Sequence, residues 1–184
     1  MEEVKIYNKH IAFLGGQLSN FFPCEIIENE PWKETLDYIP CNVFEEFKWK
    51  SSEQLFMAYK AWTFCDYETF FEIFSTTNPE DAKKLGRKVK NYDDEIWSEV
   101  REHFMEQAVY AKFTQNENLK KFLLQEEFEG KDFVEGSPFD GIWGVKMDWR
   151  NPDIDNPENW NGENLLGKVL NKVREKIKLE EYGN

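Results

Sequence analysis

Ser51-Ser52-Glu53-Gln54-Leu55-Phe56-Met57-Ala58-Tyr59-Lys60-Ala61-Trp62 is the stretch whose reading decides the fold. Ser51 and Gln54 stand at capping-box spacing, with Ser52 as a second N-cap option, so a helix starts here. Leu55, Tyr59 and Trp62 recur at helical spacing and form an apolar stripe. Glu53, Phe56 and Lys60 form another. Seven residues are close to two turns, so Glu53 and Lys60 point the same way, roughly 10 Å apart along the axis. A carboxylate and an amine on one face, with an aromatic ring between them, can be a site. Periodicity alone favours the plainer reading, a solvated Glu and Lys beside a core Phe.

Working outward, Val4 to Phe13 alternates loosely and includes a strand, and Gly15-Gly16 to Pro23 is a loop. It lacks the lysine and the spacing of a phosphate-binding glycine loop. Cys24 to Glu28 reads as a strand, Asn29 to Pro40 as a turn-rich excursion, and Val43 to Lys50 as a half-buried strand leading into the Ser51 helix. Helices follow. Asp66 caps one through Phe74. Asn78-Pro79 starts one that runs to about Gly86-Arg87. Asp93 or Asp94 opens the longest, to about Phe113, with Ile96, Trp97, Val100, Phe104, Ala108 and Ala111 inward. Glu117 to Phe128 gives another. Asp132 to Gly136 and Ile142 to Met147 read as short strands around a tight Ser137-Pro138-Phe139-Asp140-Gly141 turn. Asp148 to Gly162, rich in Asn, Asp and Pro, is either disordered or functional, a lid for instance. Glu163 to about Glu181 is a final helix with Leu165, Leu166, Val169, Leu170, Val173 and Ile177 inward. The expected fold is α+β and mainly helical with a few short strands. No repeat or linker divides the chain, so residues 1–184 are read as one domain.

Composition narrows the function classes. The 16 Phe, 7 Trp and 7 Tyr argue against disorder and exceed what one helical seam needs. A net charge of −13 argues against a generic DNA binder, so any contact with nucleic acid runs through a local patch and a pocket. Cys24, Cys41 and Cys65 form no C-x-x-C pair, which fits reduced thiols in a cytoplasmic compartment. His10 and His103 sit in no ligand motif, so no zinc and no cofactor are expected. They are also too few for a Ser-His-Asp or Cys-His nucleophile set. The N-terminal residues do not read as a signal peptide, and no apolar run is long enough to span a bilayer.

Several polar residues stand in aromatic or glycine contexts: Asn20, Glu53, Lys60, Arg87, Asp140 ahead of Trp143-Gly144, and Asn164. Each also has a bland reading. Asn20 and Asp140 suit turns, Arg87 a helix C-terminus, and Asn164 an exposed first helical turn. Their combination is more specific. Leu18-Ser19-Asn20-Phe21-Phe22-Pro23, Ser52 to Lys60, Ala82-Lys83-Lys84-Leu85-Gly86-Arg87, Trp97 to Val100, Lys112-Phe113-Thr114-Gln115-Asn116, Val134 to Gly144 and Gly162 to Arg174 occur in this order. Over about Phe13 to Arg174 the chain resembles the NADAR family (named for NAD and ADP-ribose), also called YbiA-like. The S-P-x-D-x-x-W-G and G-x-N-x-L-G pieces carry most of the specificity. The chain departs from the family pattern at Gln54, where His is frequent, and at Lys146, where a glycine is frequent. The segments Asn29 to Phe44 and Asp148 to Trp160 are longer than in compact members. These departures bear on substrate choice.

The resemblance implies a compact α+β domain that hydrolyses N-glycosidic bonds. Its substrates would be ribosylaminopyrimidine phosphates of the riboflavin pathway or ADP-ribose on guanine in nucleic acid. Partners are then a ribosyl or ADP-ribosyl small molecule, or ADP-ribosylated nucleic acid, with no membrane and no metal. Cleavage builds positive charge at C1 of the ribose, which Glu53 or Asp140 would stabilise or service as acid or base. Lys60, kept neutral by burial, would attack C1 and form a Schiff base. Trp97 and Trp143 would stack on the base beside Phe56. Arg87 would hold a phosphate, and Asn20 and Asn164 would bind sugar or phosphate oxygens. The alternative from another class is a non-catalytic ADP-ribose or nucleotide reader, which needs neither Glu53 nor Lys60. A third is an interaction protein whose acidic surface takes a basic partner.

Overall fold

In a computed structural model that describes residues 4–29 and 46–183, the chain is α+β and mainly helical. Its elements are β1 (Val4–Ile6), β2 (His10–Phe13), β3 (Ile26–Ile27), β4 (Lys48–Trp49), α1 (Ser52–Thr63), α2 (Tyr67–Ser75), α3 (Pro79–Gly86), α4 (Asp94–Gln115), α5 (Glu117–Leu123), β5 (Asp132–Glu135) and α6 (Leu165–Tyr182). They fall into two compact units, Pro23–Asn116, and Met1–Phe22 with Glu117–Asn184. No helix among the described residues is long and apolar enough to cross a membrane. Cys41 and nearly all of the expected Asn29 to Pro40 excursion lie outside the described residues, as does the start of the Val43 to Lys50 strand.

In the Pro23–Asn116 unit, caps set the helix starts where the sequence predicts them. Ser51 Oγ accepts the Gln54 N–H at 3.1 Å and Asp66 Oδ1 the Thr69 N–H at 3.2 Å. Asn78 Oδ1 accepts the Glu80 N–H at 2.9 Å ahead of Pro79, and Asp93 Oδ1 takes the N–H groups of Glu95 and Ile96. Helix α1 packs against α2, α3 and α4 and is buried without a break from Ser52 to Tyr59. The long helix α4 begins beyond this core, which corrects one inward residue: Ile96 is 51% exposed. Strands β3 and β4 pair antiparallel, and the Gln115 amide bonds both the N–H and the carbonyl of Ile27.

The other unit is built on a three-stranded sheet in which β2 lies antiparallel to β1 and parallel to β5. Against it pack Val145 and Ile154, with Tyr7, Met147, Trp149 and Trp160 around them. The long loop after Asp148 is therefore neither disordered nor a lid. Two 3-10 turns shape it, Pro152–Asp155 and Pro157–Asn159. It is fastened by Asp155, whose Oδ1 accepts the backbone N–H groups of Lys9 (2.9 Å) and His10 (3.0 Å) and bonds His10 Nδ1 at 3.1 Å. Helix α5 ends at Leu123, and the rest of its expected span is a separate 3-10 turn, Glu126–Phe128.

Ile142 to Met147 is not a strand, and hydrogen bonding explains why. The carbonyls of Ile142 and Trp143 accept the first N–H groups of α6, from Leu165 and Leu166, at 3.1 Å each. Those of Gly141, Gly144 and Val145 take the N–H groups of Glu163, Asn164 and Asn161. This segment caps a helix that has no side-chain cap of its own. A Cβ on Gly162 would run into the Gly144 carbonyl.

The free edge of β5 is covered by the same helix. Asn171 Oδ1 accepts the Phe133 N–H at 3.1 Å. Asn164 Nδ2 donates to the Phe133 carbonyl at 3.0 Å, and Asn164 Oδ1 accepts the Glu135 N–H at 3.0 Å. The Glu135 carbonyl accepts from Val145 N–H at 3.0 Å. Two asparagines two helical turns apart thus stand in for most of a fourth strand. Gly167 makes the approach possible, since a Cβ there would strike the Phe133 carbonyl and the Asn164 amide. Asn164→Ala orphans two buried backbone groups at about 1–3 kcal/mol each, so it should lower unfolding free energy by about 3 kcal/mol in urea melts. Gly167→Ala should cost at least as much, and an unchanged melt for either variant would refute the edge assignment.

Candidate active site

Glu53 is 5% exposed, so the reading of it as a solvated carboxylate is wrong. Its carboxylate belongs to the first turn of α1, where the helix dipole favours an anion, and Lys60 to the last turn, where it favours a cation. Gln54 fixes this end of the helix. Its Oε1 accepts the Lys50 N–H at 2.7 Å, and its Nε2 donates to the carbonyls of Ile73 (2.9 Å), Phe74 (3.2 Å) and Thr76 (2.6 Å). The departure at Gln54 thus serves to pin the start of α1 to the end of α2.

Lys60 is half-buried, with Nζ 4.1 Å from the centre of the Tyr92 ring and 5.9 Å from that of Trp97. Burial pushes its amine below the ordinary lysine value, Asp94 opposes that, and Arg87 adds to it. Tyr92 donates its hydroxyl to Asp94 Oδ1 at 2.6 Å, and burial together with that carboxylate pushes the phenol up to about 12. Arg87 is the exposed C-cap of α3.

Phe56 and Trp97 are both buried, their rings 5.2 Å apart, and Trp97 stacks on Phe104 at 6.2 Å. The two rings pack on each other next to Lys60, whose Nζ lies 5.9 Å from the Trp97 ring centre.

In the other unit, Asp140 organises the turn before Trp143. Its Oδ1 accepts the N–H groups of Ile142 (3.0 Å) and Trp143 (2.8 Å), and its own N–H donates to Ser137 Oγ at 3.3 Å. Trp143 is half-buried. Asn20 is buried, in a turn where Ser19 Oγ accepts the Phe21 N–H at 3.2 Å. Asn164 is buried with a left-handed backbone, and both ends of its amide are engaged with β5. The exposed first-turn reading does not fit that geometry, and Asn164 helps hold the β5 edge.

Lys112 stands in one of the motifs without an assigned role. It is 0% exposed, and burial pushes its amine down to about 7 while Cys24 nearby pulls upward. Burial likewise raises the Cys24 thiol. The sequence carried a signal, because Lys112 falls at helical spacing from Ala108 and Val109. Among the described residues no group of three or more His, Cys, Asp and Glu is placed to hold a metal ion.

The NADAR domain model matches residues 7–178. An N-glycosidase of Acanthamoeba polyphaga mimivirus is 41% identical over 177 residues, which cover 91% of this chain and 96% of that protein. The chain belongs to the NADAR family. A second relative, N-glycosidase YbiA of Shigella boydii serotype 4, is 30% identical over 131 residues, 71% of this chain and 72% of its own. The NMR structure of the E. coli protein YbiA shares the fold with a TM-score of 0.68 and 26% identity, covering 100% of this chain and 93% of that one.

Two outcomes check the electrostatics of this NADAR chain. Asp94→Asn should lower the Lys60 pKa further and Arg87→Ala should raise it, read by NMR titration of the lysine ε-carbon; shifts of the same sign would refute the assignment. The depressed Lys112 value means that the unfolded chain binds the extra proton between about pH 7 and the ordinary lysine range. Wild-type stability relative to Lys112→Met should therefore rise with pH across that window, and parallel urea-melt profiles would refute it.

Proposed function

We propose that the chain hydrolyses the N-glycosidic bond between a ribose phosphate or ADP-ribose and an aminated base, either ADP-ribosyl-guanine in nucleic acid or a ribosylaminopyrimidine riboflavin intermediate. The reaction class is the one its NADAR relatives carry in their names. The observation that carries the reading is Glu53: a carboxylate buried in the first turn of a helix whose last turn bears Lys60, an amine with a depressed pKa. Burying an acid costs stability unless something offsets it, and such groups concentrate at functional sites.

The chemistry follows from these groups. As the C1–N bond lengthens, positive charge grows on C1 and the ring oxygen, and the Glu53 carboxylate stabilises it or takes a proton from attacking water. In the covalent route the Lys60 lone pair forms the bond to C1. The C1–N electron pair leaves with the base, which takes up a proton. Loss of a proton from Nζ and opening of the ribose ring give an imine, and water then releases the sugar phosphate and the amine. Arg87 holds the phosphate of the same ligand.

Glu53→Gln keeps the shape and removes the charge. Turnover of ADP-ribosyl-guanine DNA or of the ribosylaminopyrimidine should fall about 10²–10⁴-fold while ligand binding survives. If Lys60 is the nucleophile, wild-type protein treated with substrate and borohydride gains a sugar-phosphate adduct on Lys60 by mass spectrometry. The rate then rises with pH through the depressed lysine value, because only the neutral amine attacks. Full turnover by both Glu53→Gln and Lys60→Ala would remove α1 from the chemistry.

A further inference from the structure

Tyr92 is 43% exposed, yet it is held at three points. Its ring meets the Phe64 ring edge to face, with 5.3 Å between centres. Its hydroxyl donates to Asp94 Oδ1 at 2.6 Å. The Lys60 Nζ lies over the ring, 4.1 Å from its centre. The backbone is fixed on both sides as well. The Lys90 N–H donates to Asp66 Oδ2 at 2.8 Å, Asn91 takes a left-handed φ of 57°, and Asp93 caps α4. All of these residues belong to the Pro23–Asn116 unit.

A tyrosine that only closes the edge of a core needs Phe64, but neither a cation on its ring nor a carboxylate on its hydroxyl. The two polar contacts are linked. A carboxylate that accepts the phenol proton pushes electron density onto the ring, and the richer ring holds an ammonium more firmly. The phenol, pushed up to about 12, keeps that proton throughout the neutral range. The charges that face this pair come from the end of α3 and from α4. Asp94 favours the Lys60 ammonium and Arg87 disfavours it, while Asp93 and Arg101 act on the phenol in opposite directions. A lysine amine on its flexible stem samples many positions unless something holds it. The ring removes that freedom before a ligand arrives, which is how a positioned group gains rate.

We propose that Tyr92 is the positioning residue of Lys60: its ring fixes the ε-amine, and Asp94 fixes the ring. The consequence for turnover rests on the reading of Lys60 as the nucleophile of an N-glycosidase, but the hold on the amine does not. Only the charged amine is attracted to the ring face. When Nζ gives its proton to water, that attraction falls away, and the lone pair is free to form the bond to C1. Tyr92 therefore favours placement of the amine over its neutral form, and its removal changes both.

The test uses the full chain, NMR titration of the Lys60 ε-carbon, and rate–pH profiles on ADP-ribosyl-guanine DNA and on the ribosylaminopyrimidine. Tyr92→Leu should lower the Lys60 pKa by about half a unit, because the ammonium loses its ring. The plateau rate should fall about 10–100-fold with KM little changed, and the rising limb should move to lower pH with the amine. Tyr92→Phe keeps the ring over Nζ and should recover most of the pKa and most of the rate. A double-mutant cycle covers the case in which Tyr92→Leu does not fold. Asp94→Asn should lower the Lys60 pKa less in Tyr92→Phe than in the wild-type chain, since the phenol link is already gone. An unmoved Lys60 pKa in Tyr92→Leu, a rate loss that Tyr92→Phe does not rescue, or an additive cycle overturns the proposal. Absence of turnover of either N-glycoside by the wild-type chain, with the Tyr92-dependent pKa shift intact, overturns the N-glycosidase reading and leaves Tyr92 holding the amine.

Discussion

Burying a helix on all sides constrains what it can carry. Helix α1 is buried from Ser52 to Tyr59, and within that run it holds a carboxylate, an amide and two hydroxyls. Each has to be satisfied before the unit can close around it. Ser51 takes an N–H of the first turn, and the Gln54 amide uses its acceptor on Lys50 and its donors on the last carbonyls of α2. Glu53 is placed where the backbone dipoles of the helix favour negative charge, and Lys60 where they favour positive charge. The same geometry that lets the fold tolerate these two groups aligns them along one face. Packing and chemistry therefore act on α1 together.

The motifs of the other unit divide differently. Asn164, Gly167 and Asn171 serve the edge of β5, and Gly162 the close pass of two backbones. Asp140 gives its Oδ1 to a turn. A polar residue in a glycine-rich context is thus not by that fact a ligand. Both ends of the Asn164 amide are matched to backbone partners, and Glu53 is a buried carboxylate in the first turn of α1.

Local signals in the sequence located most elements. The caps at Ser51, Asp66, Asn78 and Asp93 are one-residue chemical events, and each helix starts where its cap specifies. The inward stripe of α6 is buried throughout, because one helix face meets one core. Non-local hydrogen bonds were illegible. The alternation of Ile142 to Met147 looks like a strand, but its carbonyls belong to a helix about twenty residues on. The 148–162 loop looks unstructured until Ile154 and Asp155 find β2. At the site, the Glu53–Lys60 alignment could be read from period alone, but the burial of Glu53 could not. The packing of Phe56 and Trp97 on each other depends on tertiary neighbours that no spacing discloses.

The covered edge of β5 also bears on self-association. An unpaired strand edge is a template on which another chain can add a strand, and sheets grow into aggregates through such edges. Here one side of the three-stranded sheet ends in asparagine side chains, which consume the donors and acceptors without offering new ones in register. The other side is β1, three residues long, with Lys5 reaching over to the Arg150 carbonyl at 3.0 Å. A short edge bearing a lysine is a poor template. The sheet is therefore terminated on one side by side chains and on the other by brevity and charge. That protection should persist as long as α6 stays docked, which makes the loss of α6, more than the loss of any strand, the event that would expose the chain to its own copies.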